Sequence, residues 1–329
     1  MSHKFLAALL SAFLFANAWA GDAPPQKKIA RIGYISGTGS AANQGPYVDA
    51  LRDGLRKLGH VEGKSFTIEY RGAEGRMDRV SNLVAELIEL PVDLIVAPIL
   101  PAIVAAKQST KVIPIVMVAN VEPVASKLVD SLARPGGNLT GLSTLAQDLS
   151  GKRIELIKEV VPRLSRIAVL RDVESQNSAI QFKEYEDAAR MFNITLHPLD
   201  VRGANPDLEA ALLAASKGRN DALVTITNAN LFTQQKRITN LAIKHKLASM
   251  FQGSTWVDSG GLMSYATDEL GAFRRAATYI DKILKGVKPA DLPVEQATKF
   301  ELVINLKTAK QIGLAIPQSL LFRADRVIK

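Results

Sequence analysis

The sequence contains no cysteine, and this absence excludes several classes of protein at once. Without thiols the chain cannot form disulfides, hold an iron–sulfur cluster, bind zinc through thiolates or use a cysteine nucleophile. It also offers no N-terminal cysteine for lipid attachment, so we expect a protein that is not lipid-anchored.

Histidine is scarce, with four in 329 residues, and only His60, His197 and His245 lie beyond residue 20. Neither an H-E-x-x-H nor a G-x-S-x-G pattern is present, and no two histidines have the spacing of metal ligands. The carboxylates are scattered on the polar faces of predicted helices. We therefore expect no catalytic group, no metal and no cofactor.

The chain also lacks a basic stripe, although Lys and Arg number 41 against 32 Asp and Glu and give a net charge of +9. Acidic residues are interspersed with the basic ones, as in 52–57 and 152–159, and aromatic residues are not interleaved with them. We expect no nucleic-acid partner. A charged fraction of 22% and a hydrophobic fraction of 47% are ordinary for a globular protein.

Long apolar runs are missing everywhere except at the N-terminus. Residues 5–18 are almost wholly apolar, follow Lys4 and precede Ala18-Trp19-Ala20, and the run is short for a membrane span of about twenty residues. A basic start, a short apolar segment and an A-x-A site predict a signal peptide over 1–20, followed by a linker over 21–27. The alternative is an uncleaved N-terminal anchor. Cleavage would remove Lys4 and no acidic residue, so the exported protein would carry 40 basic and 32 acidic residues, a net charge of +8.

From residue 28 onwards, short β-branched runs alternate with helical patterns. Residues 31–35, 66–70, 92–96 and 113–118 predict buried strands, and apolar residues at helical spacing lie between them. Such alternation is typical of a parallel, doubly wound α/β sheet covered on both faces.

The pattern pauses in the turn-rich segment 133–138 and then repeats, with strands predicted at 166–170, 194–201, 222–226 and 248–251. Extended stretches near 263–266 and 293–298 flank one further helix. We expect two doubly wound parallel-sheet lobes joined by a hinge of several crossings. The first lobe is predicted to contain 28–141 and 264–292, and the second 142–263 and 293–329.

In such sheets a ligand binds beyond the carboxyl ends of the strands, here between the lobes. This rule selects candidate ligand-binding residues by position alone: Ser36, Thr38, Pro98, Leu100, Ala119 and Asn120 in the first lobe; Asp172, Ser175, Asn177, Asn228, Asn230, Gln252 and Ser254 in the second; and Tyr265 in a crossing segment. Hydroxyls, amides and helix N-termini suit a small polar or zwitterionic solute, with an ammonium group at Asp172.

Residues 37–42 fit the dinucleotide-binding pattern G-x-G-x-x-A directly after the first strand. However, the segment 43–46 lengthens the loop, and Pro46 belongs in a first helical turn, so the helix does not begin at the second glycine as that pattern requires. A polar loop with Ser36 and Thr38 facing the cleft, or a simple turn, explains the segment better.

Several longer segments resemble one known family. They are LGHVEGK (58–64), LARPGGNLTG (132–141), GGLMSY (260–265), and a run that includes KGVKPADLPVEQ (285–296) and LKTAK (306–310). Across nearly the whole exported chain, the sequence resembles the solute-binding proteins of ABC transporters with the type I periplasmic-binding fold, in the group related to tryptophan- and tyrosine-binding proteins.

The departures from this family's pattern fall in the predicted cleft. A Gly-Thr-Pro-like turn after the third strand is here APILP (97–101), and a Gly-Asp-Pro after the fourth is VEP (121–123). In the second lobe, RDVE (171–174) and NA (228–229) replace Asn-Pro-type and Asp-Pro turns. The resemblance implies the fold, whereas these changes leave the class of ligand open.

The resemblance implies a receptor without catalytic activity. It would close on a small organic solute by hinge bending and present it to an inner-membrane ABC permease, and we expect it to be a monomer. Two other functions stay open: an exported ligand-sensing protein that signals to a membrane receptor, and an exported enzyme for which no catalytic residues can be named.

Overall fold

The computed structural model describes residues 29–144, 149–175, 178–203, 205–296 and 299–329. The predicted signal peptide, the linker and Asn177 lie outside these residues. Residues 30–143 form, in order, β1 (Ala30–Ser36), α1 (Pro46–Lys57), β2 (Phe66–Gly72), α2 (Val80–Glu89), β3 (Leu94–Ala97), α3 (Leu100–Ser109), β4 (Ile115–Ala119) and β5 (Leu139–Ser143).

The rest of the described chain adds a second series of strands and helices. Residues 150–267 form α4 (Ser150–Val160), β6 (Arg166–Asp172), α5 (Ser178–Met191), β7 (Thr195–Val201), α6 (Leu208–Lys217), β8 (Ala222–Ile226), α7 (Ala229–Thr233), α8 (Gln235–Lys244), β9 (Ala248–Phe251), α9 (Ser254–Asp258) and β10 (Met263–Thr267). Then follow α10 (Glu269–Leu284), β11 (Glu295–Gln296), β12 (Phe300–Asn305), α11 (Leu306–Ile312), α12 (Gln318–Arg323) and β13 (Arg326–Ile328). Met77–Arg79 and Pro289–Asp291 are short 3₁₀ helices.

The strands form two separate sheets, which define the two lobes. The first sheet has the order β11-β5-β4-β3-β1-β2 and the second β13-β12-β10-β9-β8-β6-β7. Every strand pair of the first sheet is parallel, and β10 with β12 is the antiparallel pair of the second. The predicted α/β class with two mostly parallel sheets is confirmed.

Continuous apolar strands explain why both faces of each sheet are covered. Every residue of β3, β4, β5, β8 and β9 is buried. Alternate side chains of a strand point to opposite faces, so an all-buried strand must have helices on both sides. Separate apolar clusters indeed lie on the two faces of each sheet.

The chain passes between the sheets three times: between Ser143 and Ser150, between Thr267 and Glu269, and between Gln296 and Phe300. These passages come two to four residues later than the predicted lobe boundaries at 141, 263 and 292. Strand pairing explains the difference, since β10 is hydrogen-bonded to the second sheet and β11 to β5 of the first. Such strand pairings leave no pattern in the polarity of the local sequence, so the sequence could not predict them.

Helix α10 returns to the first lobe and packs along α1. The close approach depends on Gly54 of α1, where an added Cβ would overlap the carbonyl oxygen of Arg274 and lie 2.7 Å from Cβ of Ala277. Both helices cover the same face of the first sheet. None of the helices in the described part of the chain is both long and apolar enough to span a bilayer.

Candidate functional site

A cavity of about 420 Å³ lies between the two lobes, beyond the carboxyl ends of the strands. Tyr47 and Asn120 line it from the first lobe. Thr144, Thr267 and Glu269 line it from two of the passages between the lobes, and most of the remaining wall belongs to the second lobe. The cavity therefore occupies the place where doubly wound sheets bind their ligands.

Tyr47 connects the two lobes at the edge of this cavity. Gly45 has a positive φ of 83° and Pro46 is the first helical residue, so α1 begins abruptly and Tyr47 lies in its first turn. The ring stacks on that of Phe232 in α7, with centroids 5.9 Å apart, and on Phe273 of α10 at 4.9 Å. The Tyr47 hydroxyl donates a hydrogen bond to Oε2 of Glu269 at 2.5 Å.

Burial shifts the protonation of this pair. It raises the pKa of Glu269, and the hydrogen bond from Tyr47 offsets only part of the effect because it stabilises the carboxylate. Burial and the neighbouring Glu269 carboxyl together raise the pKa of Tyr47 well above its ordinary value. Tyr47 is therefore a neutral hydrogen-bond donor at physiological pH.

Arg153 is the one basic residue in the described part of the cavity wall. It lies in the first turn of α4 and is only 8% exposed. Its Nε donates to the backbone oxygen of Tyr265 in β10 at 2.8 Å, and this is its one side-chain hydrogen bond to the described part of the chain. A buried guanidinium thus faces the cavity, held by a single neutral acceptor.

The second-lobe wall combines fixed polar groups with aromatic rings. Gln252 accepts a hydrogen bond from the backbone nitrogen of Thr227 at 2.9 Å and donates one to Oε1 of Gln181 at 3.1 Å. Trp256 is 1% exposed and stacks on Phe251, with ring centroids 4.8 Å apart. Such a wall offers both apolar faces and hydrogen-bonding groups to a small organic molecule.

Of the predicted ligand-binding residues, Asn120 and Gln252 line this cavity. The first-lobe candidates after β1 and β3 lie outside it. Ser36 accepts hydrogen bonds from the backbone nitrogens of Thr38 and Gly39 at 3.3 and 3.0 Å, so its hydroxyl organises its own loop. Pro98 and Leu100 lie at the start of α3, and Ala119, the last residue of β4, is buried.

Asp172 is 2% exposed at the end of β6 and also lies outside the cavity lining. Its carboxylate accepts hydrogen bonds from Nδ2 of Asn228 at 2.7 Å, Nδ2 of Asn230 at 3.1 Å and the backbone nitrogen of Glu174 at 3.0 Å. Asn228 in turn caps α7 by accepting from the backbone nitrogen of Leu231. Three predicted residues thus form one network that holds the helix carrying Phe232.

The last candidates have other neighbours. The backbone nitrogen of Ser175 donates to the backbone oxygen of Asp172, and Ser254 is the first residue of α9. Tyr265 packs its ring against Phe300, with centroids 5.9 Å apart. Contact of any of these residues with a ligand stays a prediction, as it does for Asn177.

Sequence reasoning missed most of the cavity wall, including Tyr47, Arg153, Glu184, Trp256 and Glu269. In the sequence, Tyr47 is one of the apolar residues at helical spacing after the first strand. Arg153 is part of the mixed-charge run 152–159, although it precedes Ile157 by four positions and Val160 by seven. A charged residue on the apolar face of a helix is a signal that could have identified it.

Two of the histidines have side-chain partners. Nε2 of His60 lies 2.9 Å from Oδ1 of Asp281, and Nδ1 of His197 lies 3.1 Å from Nδ2 of Asn220. Within the described ranges, no three His, Cys, Asp or Glu side chains are grouped as metal ligands would be.

Comparisons show which known proteins this chain is similar to. The model of the family described as ABC transporter substrate binding protein matches residues 29–328. A tyrosine-binding protein from Clostridioides difficile is 27% identical over 274 residues, which are 82% of this chain and 78% of that protein.

Two solved structures are similar over nearly the whole chain. One is an ABC domain from Streptococcus pneumoniae in complex with L-Trp, with a TM-score of 0.73, 28% identity, and coverage of 90% of this chain and 100% of that one. The other is a conserved domain protein from Vibrio cholerae, with a TM-score of 0.75, 27% identity and coverage of 91% and 100%. The family indicated by the sequence motifs is confirmed.

Proposed function

This chain belongs to the family of ABC transporter substrate-binding proteins, and from that premise we propose that it is the solute receptor of an ABC importer. It binds a small organic molecule, an amino acid or a related compound, between its two lobes and delivers it to an inner-membrane permease. It acts without chemistry, as a monomer in the periplasm after removal of residues 1–20.

The observation that carries this proposal is the cavity between the lobes, lined from both of them and from the passages that join them. Its volume of about 420 Å³ lies in the range of small-molecule sites, roughly 300–1,000 Å³. Tyr47, Phe232 and Trp256 provide ring faces for an apolar body, and Asn120, Gln252 and Thr255 provide polar groups. This mixture, with relatives that bind tyrosine and tryptophan, favours an aromatic amino acid.

Closure of the lobes is the proposed mechanism. Tyr47 of the first lobe contacts Phe232 of the second and Glu269 at one passage, so the contacts between the lobes adjoin the cavity. A ligand that touches both walls binds the closed arrangement more tightly than an open one, and it therefore shifts the population towards closure. The permease would then recognise the relative position of the lobes.

The test is a binding screen on the purified protein with the twenty amino acids, aromatic acids and purines, followed by small-angle scattering with and without each binder. A ligand at 100 times its Kd should stabilise the protein by about 2.7 kcal/mol, which thermal unfolding detects easily. We expect at least one aromatic amino acid to raise the Tm and to reduce the radius of gyration. If every compound leaves both unchanged, the proposed function is wrong.

A further inference from the structure

We infer that Arg153 binds the carboxylate of the solute and that the receptor therefore selects compounds with a single carboxylate. This inference deepens the proposed function and rests on it. It assigns the anionic end of the ligand to the passage region and the second lobe.

Burial of Arg153 is the first argument. The Arg153 side chain is 8% exposed and therefore loses most of its hydration, and a buried charge that lacks a partner of opposite charge is strongly destabilising. By contrast, arginines that form ion pairs, such as Arg275 and Arg326, have a carboxylate oxygen within 3 Å of a guanidinium nitrogen. Arg153 has a backbone carbonyl as its one hydrogen-bond partner in the described ranges. Among the described residues no carboxylate pairs with this charge, and we assign that role to the carboxylate of the solute.

The geometry of the guanidinium is the second argument. Nε is engaged with the Tyr265 oxygen at 2.8 Å, so the side chain is fixed in orientation. The two Nη atoms remain as a pair of parallel donors, and this edge matches the two oxygens of a carboxylate. A lysine in this position would supply a charge without the paired donors.

The charges around Arg153 limit the rest of the ligand. Glu184 and Glu269 line the same cavity, and among the described residues of the lining there is no lysine and no second arginine. An ammonium group or a neutral polar group is compatible with these carboxyl groups, whereas a second ligand carboxylate would face them and be repelled. The cavity thus favours a monocarboxylate over a dicarboxylate.

Arg153 also lies beside the passages between the lobes, so a carboxylate that it binds is linked to them. Its helix, α4, follows the first passage, and its acceptor Tyr265 lies two residues before Thr267 at the second. Those two passages are hydrogen-bonded to each other, from Oγ1 of Thr267 to the backbone oxygen of Thr144 at 3.2 Å. A carboxylate on Arg153 is therefore held where the lobes are joined.

The experiment compares Arg153→Gln and Arg153→Lys with the wild type by calorimetric titration of L-tryptophan, L-tyrosine and their decarboxylated analogues tryptamine and tyramine. Lys152→Gln is the matched control, because it removes a neighbouring positive charge that pairs with Glu155 at the surface. We expect Arg153→Gln to weaken amino-acid binding about 100-fold and to change amine binding less than twofold. Arg153→Lys should recover part of the loss, and Lys152→Gln should behave as wild type.

Equal losses for the acids and the amines would overturn the inference, because a merely structural Arg153 would affect both. Unchanged affinity in Arg153→Gln would also overturn it. If the wild type instead binds a screened compound that has no carboxylate, the inference fails while the proposed function stands. If the wild type binds nothing in the screen, both fail. Should Arg153→Gln not fold, Arg153→Lys, which keeps the charge, gives the same comparison of acid with amine.

Discussion

The ring of Tyr47, in the first lobe, stacks on the ring of Phe232, in the second, with centroids 5.9 Å apart. Both rings also line the cavity. Tyr47 is positioned by the abrupt start of α1, and Phe232 by α7, whose cap Asn228 is held by Asp172. The contact between the lobes and the wall of the ligand site are thus built from the same side chains.

Replacing Phe232 with alanine should weaken ligand binding about tenfold. The variant loses an aromatic pair, worth about 0.5–1.5 kcal/mol beyond its buried area, and part of the cavity wall. Titration with the best binder from the screen measures the change. Phe322→Ala is the control, since that ring is in the same lobe but is 82% exposed, and it should leave the affinity unaltered. Equal affinities in the two variants would contradict a role for the stack in binding.

We expect the contribution of Glu269 to the free energy of unfolding to increase as the pH falls from 7 towards 4.5. Burial raises the pKa of this carboxyl, so the folded state favours its protonated form, and the cost of burying the charge disappears as the pH passes below the raised pKa. Glu269→Gln removes this contribution. The Tm of the wild type relative to the Tm of Glu269→Gln should therefore increase over this interval.

Glu295 provides a control of opposite sign. Its hydrogen bond from Arg275 lowers its pKa, so its contribution to stability is complete above the ordinary value of 4.5 and is lost only as the pH falls further. The Tm difference between wild type and Glu295→Gln should stay constant from pH 7 to 4.5 and shrink below. If the Tm difference between wild type and Glu269→Gln followed the same pH profile as that for Glu295→Gln, the direction assigned to the pKa shift of Glu269 would be wrong.

Gly54→Ala should destabilise the protein by about 1–3 kcal/mol, as overpacking of a core does. The new methyl group would overlap the Arg274 carbonyl and push α10 away from α1. Chemical denaturation measures the loss. Gly151→Ala, in α4, is the control substitution. Its new Cβ would lie 4.0 Å from the Cβ of Ala188, an ordinary contact, and alanine favours the helix by roughly 0.5–1 kcal/mol. A Gly54→Ala variant as stable as Gly151→Ala would contradict the close packing of α1 on α10.

Asp172→Ala should weaken ligand binding at least tenfold, although Asp172 lies outside the cavity lining. The variant leaves the amides of Asn228 and Asn230 without their shared acceptor, and α7 with Phe232 loses its support. It should also lower the free energy of unfolding, since each buried polar group left unsatisfied costs about 1–3 kcal/mol. Denaturation and titration of one preparation measure both effects. A loss of affinity with unchanged stability would instead favour direct contact of Asp172 with the ligand.

The alternation of strands and helices was predictable because buried strands and amphipathic helices leave their periods in the local sequence. The strands predicted at 31–35, 166–170 and 222–226 match β1, β6 and β8 closely. The C-terminal part was less predictable. Within the extended stretch expected at 293–298, Glu295–Gln296 form β11 and pair with β5 about 150 positions earlier in the chain, and residues 297 and 298 lie outside the described ranges. Pairing at that separation has no local signature.

The sequence by itself determined the α/β class, the two lobes and the family, since these follow from local burial patterns and from motifs with defined spacing. It also indicated two residues of the cavity wall, Asn120 and Gln252, because carboxyl ends of parallel strands meet at one edge. Only the tertiary structure decided that Tyr47, Arg153 and Glu269 complete that wall. These three lie on helices α1, α4 and α10, and a helix side chain reaches a cavity only through the packing of distant segments around it.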